Sequence, residues 1–487
     1  VNAFAAARLE QARKHPDLLL LVVCLAQFMV ILDVSIVNVA LPSIRGSLHF
    51  SSLGLQWVVN AYTLTFAGFL LLGGRASDLF GRRRVFLAGT ALFTLASLAC
   101  AVSSSRGLLI AARSLQGVGG AVISPASLAI LTTSFAEGRE RNRALGFWGA
   151  IGGIGGASGA LFGGLLTQGL GWQWVFLVNV PVGLAVMALS RIVVPEGRTE
   201  LGHRHMDLTG ALLVTAGFVS LVYGIVRTDS LGWGSSGVLG PIALGLLLLA
   251  AFLLVEGHFS KAPLMPLSIF RLRQLRAANV VVLLLYSAVF VMWFFVSLYD
   301  QQVLGLDAIQ TGLGFLPMTL GVALASSQAP RLAAAIGARW TLTLGMVAAA
   351  SGLLLLSGIA PGGSYAASVL PGGVLSAVGL GLALVPATIV AVQGVPRNEA
   401  GLASGLLNTS RLLGGALGLA VLSTIAASQT HSRLAAGADP LRALTDGYSR
   451  ALVVGALVCA AGAVAAALLL RPPAAAGELV ATRTPAE

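Results

Sequence analysis

Long apolar runs separated by short polar stretches dominate the chain, and the stretches are rich in arginine and glycine. Each run is about 20 residues, the length an α-helix needs to cross a ~30 Å hydrocarbon core at ~1.5 Å per residue. Fourteen can be counted, at roughly 18–40, 54–73, 85–103, 107–130, 144–168, 173–193, 208–227, 238–256, 277–299, 310–329, 341–359, 366–390, 401–424 and 450–470. Backbone polar groups in lipid must be paired within their own segment, so runs of this length predict helices. The expected fold is an all-α membrane protein with 14 transmembrane helices, and an even number of crossings returns both termini to one side.

Positive charge says which side. Arg113 and Arg411 fall inside runs. About 22 of the remaining Lys and Arg lie on the terminal side, against 6 on the other: Arg45, Arg106, Arg227, Arg433, Arg442 and Arg450. Cytoplasmic loops carry the excess of Lys and Arg, so both termini are expected in the cytoplasm and the protein in the cytoplasmic membrane. Shifting the count by one helix would scramble this bias. Composition agrees: 56% hydrophobic and only 10% charged residues, where a soluble domain carries about 25% charged. The formal charge of +12 is spread over many short loops, so it does not predict nucleic-acid binding.

Cys24, Cys100 and Cys459 all sit in apolar runs, which suggests neither a disulfide framework nor a metal site. The first run follows Arg8, Arg13 and Lys14 without a small-residue cleavage site, and reads as a spanning helix, not a removed signal peptide. No phosphate-binding loop of the Walker type is present. The six histidines are scattered and no nucleophile or metal-ligand cluster forms. Neither ATP drive, a cofactor nor an enzyme is expected.

An internal repeat divides the chain. Ala403-Ser404-Gly405 followed by Gly414-Gly415-Ala416-Leu417-Gly418 matches Ala144-Leu145-Gly146 followed by Gly155-Gly156-Ala157-Ser158-Gly159. Arg331 with Gly337-Ala338-Arg339 echoes Arg75 with Gly81-Arg82-Arg83. The repeat is longer than six spans by about two helices. The expected organisation is a six-helix bundle over 1–200, a two-helix insert over 201–262, a second six-helix bundle over 263–472 and a disordered cytoplasmic tail over 473–487. Parallel repeats of this kind place a substrate site at the midplane between bundles.

The connector Gly73-Gly74-Arg75-Ala76-Ser77-Asp78-Leu79-Phe80-Gly81-Arg82-Arg83-Arg84 joins the second and third runs. It is about a dozen residues long, so the two helices must be antiparallel neighbours. It resembles the signature loop of the major facilitator superfamily. Gly74, Asp78, Gly81, Arg82 and Arg83 match that pattern; Ala76 and Leu79 stand where the family has Leu and Arg. The resemblance implies that Asp78, Arg82 and Arg83 act as a conformational latch on the cytoplasmic side.

Two ionisable groups lie deep in the first bundle. Asp33 is ~22 Å from the inner face and Arg113 ~9 Å below the outer one, so the two are nearly level and can compensate each other's burial. Leu32-Asp33-Val34-Ser35-Ile36-Val37-Asn38-Val39-Ala40-Leu41-Pro42 and Arg113-Ser114-Leu115-Gln116-Gly117-Val118-Gly119-Gly120-Ala121 are similar to motifs of the fourteen-helix drug:proton antiporter branch of that superfamily. The resemblance implies that Asp33 and Arg113 couple proton and substrate movement. A half-desolvated carboxyl beside a guanidinium can take or lose a proton as its surroundings wet or dry. A purely structural ion pair is the other reading.

The fifth run is dense in glycine, and Gly155, Gly159 and Gly163 form a smooth face for close helix packing. It resembles the antiporter motif of drug exporters, with Gly159-Ala160 where the family has Gly-Pro. Asn38, Trp57, Asn60, Tyr62, Gln116, Tyr286, Trp293, Asn408 and Arg411 are candidates to line a cavity; the aromatic ones could equally anchor at interfaces. Asp300 reads as a water-facing rim acid, and Asp207 and Glu256 as solvated.

The sequence therefore predicts a proton-coupled antiporter exporting hydrophobic or cationic drugs or antibiotics by alternating access. Its partners would be a small-molecule substrate, protons and the lipid bilayer, with no nucleic acid, and it would function as a monomer. Export of an endogenous metabolite, proton-linked import and a non-transporting membrane sensor stay open.

Overall fold

A computed structural model describes residues 16–135, 139–195, 207–259, 263, 267–393, 395 and 400–470. Among these residues, fourteen long helices follow one another: α1 (Pro16–Leu48), α2 (Trp57–Phe80), α3 (Arg82–Ala101), α4 (Arg106–Ser134), α5 (Arg139–Gly169), α6 (Asn179–Val193), α7 (Leu208–Leu231), α8 (Ser236–Leu254), α9 (Arg273–Gln302), α10 (Ala308–Ile336), α11 (Ala338–Leu356), α12 (Leu370–Val392), α13 (Ala400–Ala435) and α14 (Pro440–Leu469). Thirteen of the helical stretches are long and apolar enough to cross a membrane, and α5 is itself 31 residues long. The expected tail over 473–487 and the side chain of Asp78 lie outside the described residues.

The helices overrun the apolar runs because hydropathy marks only the part that needs lipid. The expected dozen-residue connector between the second and third helices is instead one residue. Helix α2 runs to Phe80, Gly81 turns with φ of 97°, and α3 starts at Arg82. Its repeat partner Gly337 does the same between α10 and α11, with φ of 88°. Both sit where an L side chain is strained. Helix α14 begins ten residues before its apolar run, because Pro440 opens it and Asp439 accepts from the Leu441 and Arg442 N–H groups. Helix α10 starts from a capping box of Asp307 and Gln310.

Helices α1–α6 pack among themselves, as do α9–α14, giving two six-helix bundles that meet along α1–α9, α2–α13 and α5–α10. The insert is asymmetric. Helix α7 lies against α2 and α13, one helix from each bundle, and α8 packs chiefly on α7. Leu244, Leu246 and Leu247 on α8 are exposed, as lipid-facing side chains would be. The repeat is a repeat of packing as well. A Cβ added at Gly159 on α5 would lie 1.7 Å from Ser35 Oγ of α1; one added at Gly418 on α13 would lie 2.0 Å from the Ser287 carbonyl oxygen of α9. In each bundle the glycine lets a backbone approach that no other residue permits.

Hydrogen bonds cross between the bundles at the end where α1 runs into α2, opposite the termini. Ser297 Oγ donates to the Asn38 carbonyl at 2.7 Å and Gln301 Nε2 to that of Val39 at 3.0 Å. Arg45 Nη1 donates to Gln302 Oε1 at 3.2 Å, and Ser423 Oγ to Gln56 Oε1 at 2.8 Å. A cavity of about 50 Å³, lined by Arg45, Phe294, Phe295, Ser423 and Tyr448 among others, lies in this seal.

Candidate functional site

Asp33 lies midway along α1 and is wholly enclosed, at 0% exposure. Its two oxygens are both occupied. Arg113 Nη1 of α4 donates to Oδ2 at 2.5 Å. Gln116 Nε2, one turn further along α4, donates to Oδ1 at 2.7 Å, and Asn179 Nδ2 at the start of α6 donates to the same oxygen at 3.1 Å. Arg113 and Gln116 reach one carboxylate together because residues three apart share a helix face.

The guanidinium is equally committed. Its Nε donates to the Val58 carbonyl of α2 at 2.9 Å, and Nη1 also donates to Gln116 Oε1 at 2.6 Å. The Tyr62 ring centre lies 4.4 Å from the guanidinium carbon and the Phe176 ring centre 5.6 Å. Gln116 Nε2 is shared with Ser97 Oγ of α3 at 2.8 Å. Five helices of the first bundle thus converge on one ion pair. Removing one partner of such a pair strands a buried charge, which costs ~3–5 kcal/mol.

Several sequence expectations need correcting here. Asp33 is not half-desolvated; it is buried inside the first bundle, not at the face between bundles. Gln116 and Tyr62 belong to its cluster instead of an open cavity, with the Tyr62 hydroxyl donating to the Val30 carbonyl. Trp57 turns to the insert, its ring 6.5 Å from that of Tyr223 on α7. Asp300, expected at a wet rim, is 0% exposed. Asp207 and Glu256 are also buried, with Asp207 Oδ1 accepting from the Gly210 N–H to cap α7. For Asp33, Gln116, Tyr62 and Trp57 the cause is the same: hydropathy gives depth along a helix but not rotation about it.

The other candidates are dispersed. Asn38 donates to the Val34 carbonyl of its own helix. Asn60 on α2 is fully buried with neither amide atom hydrogen-bonded. In the second bundle the Arg411 guanidinium lies 4.8 Å from the Tyr286 ring centre, and Trp293 packs on Phe315 at 5.1 Å. Asn408 is half-buried on α13, one turn before Arg411. Gly155, Gly159 and Gly163 face α1, where Ser35 Oγ donates to the Gly155 carbonyl at 3.1 Å. Gly74 faces Pro125 of α4, and Arg82 and Arg83 open α3 after Gly81.

Sequence reasoning missed Asn179, Ser97 and the Val58 carbonyl. Asn179 carried a signal: it is a lone amide between Val178 and Val180 in an apolar run. A backbone carbonyl carries none.

Two bundles related by a repeat, with a buried acid–base pair in the first, make up one architecture of solute transport. Residues 23–419 match the Major Facilitator Superfamily. The chain belongs to that superfamily. It is a multi-pass membrane transporter and not an enzyme. The chain is 44% identical to the cephamycin export protein CmcT of Amycolatopsis lactamdurans, over 84% of this chain and 85% of that one. It is 40% identical to the puromycin resistance protein pur8 of Streptomyces alboniger, over 88% and 85%. Among solved structures, the POT family transporter PepTSo shares the fold with a TM-score of 0.67 at 15% identity, over 92% of this chain and 98% of that one.

Proposed function

We propose that this superfamily member is a proton-coupled antiporter that exports a hydrophobic or cationic drug or antibiotic across the cytoplasmic membrane. The observation that carries the reading is the enclosed Asp33–Arg113 pair with its two neutral donors, Gln116 and Asn179. A charge pair kept inside a transmembrane bundle is expensive, and functional use is the default explanation. The named roles of the relatives, cephamycin export and puromycin resistance, support export of an antibiotic.

The cycle runs as follows. With the termini cytoplasmic, the seal through Ser297, Gln301 and Arg45 closes the outer end, so outward release requires this seal to part. Substrate would bind between the bundles, where the unpaired amide of Asn60 and the Arg411–Tyr286 face are candidates to meet it. Rocking of the bundles parts the outer seal and shifts α1 along the glycine face of α5. That movement loosens the shell around Asp33 and lets water reach it. A proton taken up there neutralises the carboxylate, frees Arg113 from its counter-ion and is discharged on return to the inward state. Gly74, Asp78, Gly81, Arg82 and Arg83 latch the cytoplasmic end while the outer end is open. The protein works as a monomer, one pathway per chain.

A static ion pair is the second reading, favoured by the fact that both Asp33 oxygens are fully bonded and unexposed. Everted vesicles separate the two. Uptake of a fluorescent cationic dye that follows an imposed pH gradient, and that Asp33→Asn abolishes in folded protein, is expected of the antiporter. Uptake indifferent to the gradient overturns it.

A further inference from the structure

We propose that Asp300 is a second proton-carrying carboxyl of this transporter, protonated while the α1–α9 seal is closed and deprotonated when the seal parts. The proposal deepens the proton-coupled reading, but its test reads a conformation and a bond vibration, neither of which needs a gradient or a substrate.

Asp300 is the third-last residue of α9 and is completely buried. Neither carboxyl oxygen has a hydrogen-bond partner. That sets it apart from Asp33, whose charge is met by a guanidinium and two amides. A bare carboxylate cannot be held away from water without donors or a counter-ion; it takes a proton instead.

The groups around it supply no compensation. Tyr299, its neighbour on α9, donates its hydroxyl to the Ala360 carbonyl at 2.7 Å. Tyr365, in the helical turn before α12, gives its own to the Gly314 carbonyl. Arg45 of α1 and Tyr448 of α14 are both turned to Gln302 Oε1. Asp307 caps α10, Arg433 of α13 pairs with Asp446 of α14, and His431 lines the small cavity beside Arg45.

Position gives the buried acid its use. Ser297, Gln301 and Gln302, within one turn of Asp300, all bond to α1 across the bundle boundary. The acid thus sits in the turn that closes the outer end. When this turn leaves α1 and meets water, the O–H bond breaks, the proton goes to water and the carboxylate is hydrated. The charged form cannot be buried again, so the seal recloses only after Asp300 regains a proton. One protonation event is thereby tied to closing, in a bundle separate from that of Asp33.

The test uses the full chain in nanodiscs with spin labels on Ser47→Cys, at the end of α1, and Ala436→Cys, in the turn after α13. Both sites are exposed, and the three native cysteines are buried. In an Asp33→Asn, Arg113→Gln background, which removes the opposing proton uptake at Asp33, raising the pH from mildly acidic to mildly alkaline is expected to shift the label pair from short to long separations. Asp300→Asn added to it should stay short at every pH, while Asp300→Glu keeps the response. An Asp300→Asn profile that follows that of the background overturns the proposal. Infrared spectra give a second readout if Asp300→Asn fails to fold. The unsubstituted protein at neutral pH should show a protonated-carboxyl stretch that moves in Asp300→Glu and fades as the long separation appears. Absence of that band also overturns it. Loss of gradient-driven transport in vesicles with both signatures intact would instead count against the antiporter reading alone.

Discussion

Gly159→Ala is the sharpest structural perturbation the fold offers. The new Cβ would lie 1.7 Å from Ser35 Oγ, 2.7 Å from Ser35 Cβ and 2.9 Å from the Ile36 nitrogen. Rotating Ser35 removes only the first clash. The other two are fixed to the α1 backbone, so α1 and α5 must separate by about 0.8 Å to reach an ordinary contact of ~3.5 Å. Such overpacking costs ~1–3 kcal/mol. Rotating Ser35 also gives up its bond to the Gly155 carbonyl, which adds ~0.6 kcal/mol in a membrane protein. The expected loss is about 1.5–3.5 kcal/mol, read as a lower midpoint in reversible SDS unfolding from mixed micelles. Gly156→Ala is the control, because its Cβ meets only Thr319 Cγ2 at an ordinary 3.5 Å. Ser35→Gly should rescue part of the loss in a double-mutant cycle. Equal midpoints for Gly159→Ala and Gly156→Ala would refute the close-packing argument.

Other outcomes follow from the same geometry. Asp33→Asn should lower stability by ~3–5 kcal/mol by stranding Arg113, and Arg113→Gln added to it should restore most of that in the same unfolding assay. Gly81→Ala forces an L side chain to φ near 97° and should cost ~1–3 kcal/mol, seen as an earlier thermal aggregation onset. Replacing Ser297 and Gln301 together by alanine removes two inter-bundle bonds. It should lengthen the Ser47–Ala436 label separation without a pH change.

The architecture was legible because it depends on period and length. Apolar runs of about 20 residues, arginines on alternate connections and a displaced glycine repeat need no tertiary information. The Asp33–Arg113 pairing was also legible, since two charges at one depth in one bundle have few other partners. Rotation about each helix was not. Gln116 reads as a cavity-lining candidate, whereas its face is set by Arg113 three residues earlier. Trp57 reads the same way, but its ring is claimed by Tyr223 of the insert, a contact between segments far apart in the chain. Asp300 was misjudged for the complementary reason. The end of an apolar run is taken as the end of the buried region, yet the turn at 297–302 is covered by α1 of the other bundle.

The central claim is that the Asp33 carboxylate exchanges its proton in step with substrate. It is tested most directly by following pH with an indicator in a weakly buffered solution of purified protein while a transported drug is added. Drug favours the inward state, in which Asp33 is unprotonated, so the unsubstituted protein poised at mildly acidic pH should release protons as drug binds, and folded Asp33→Asn, with or without Arg113→Gln, should bind drug and release fewer. Undiminished release from Asp33→Asn would contradict the account.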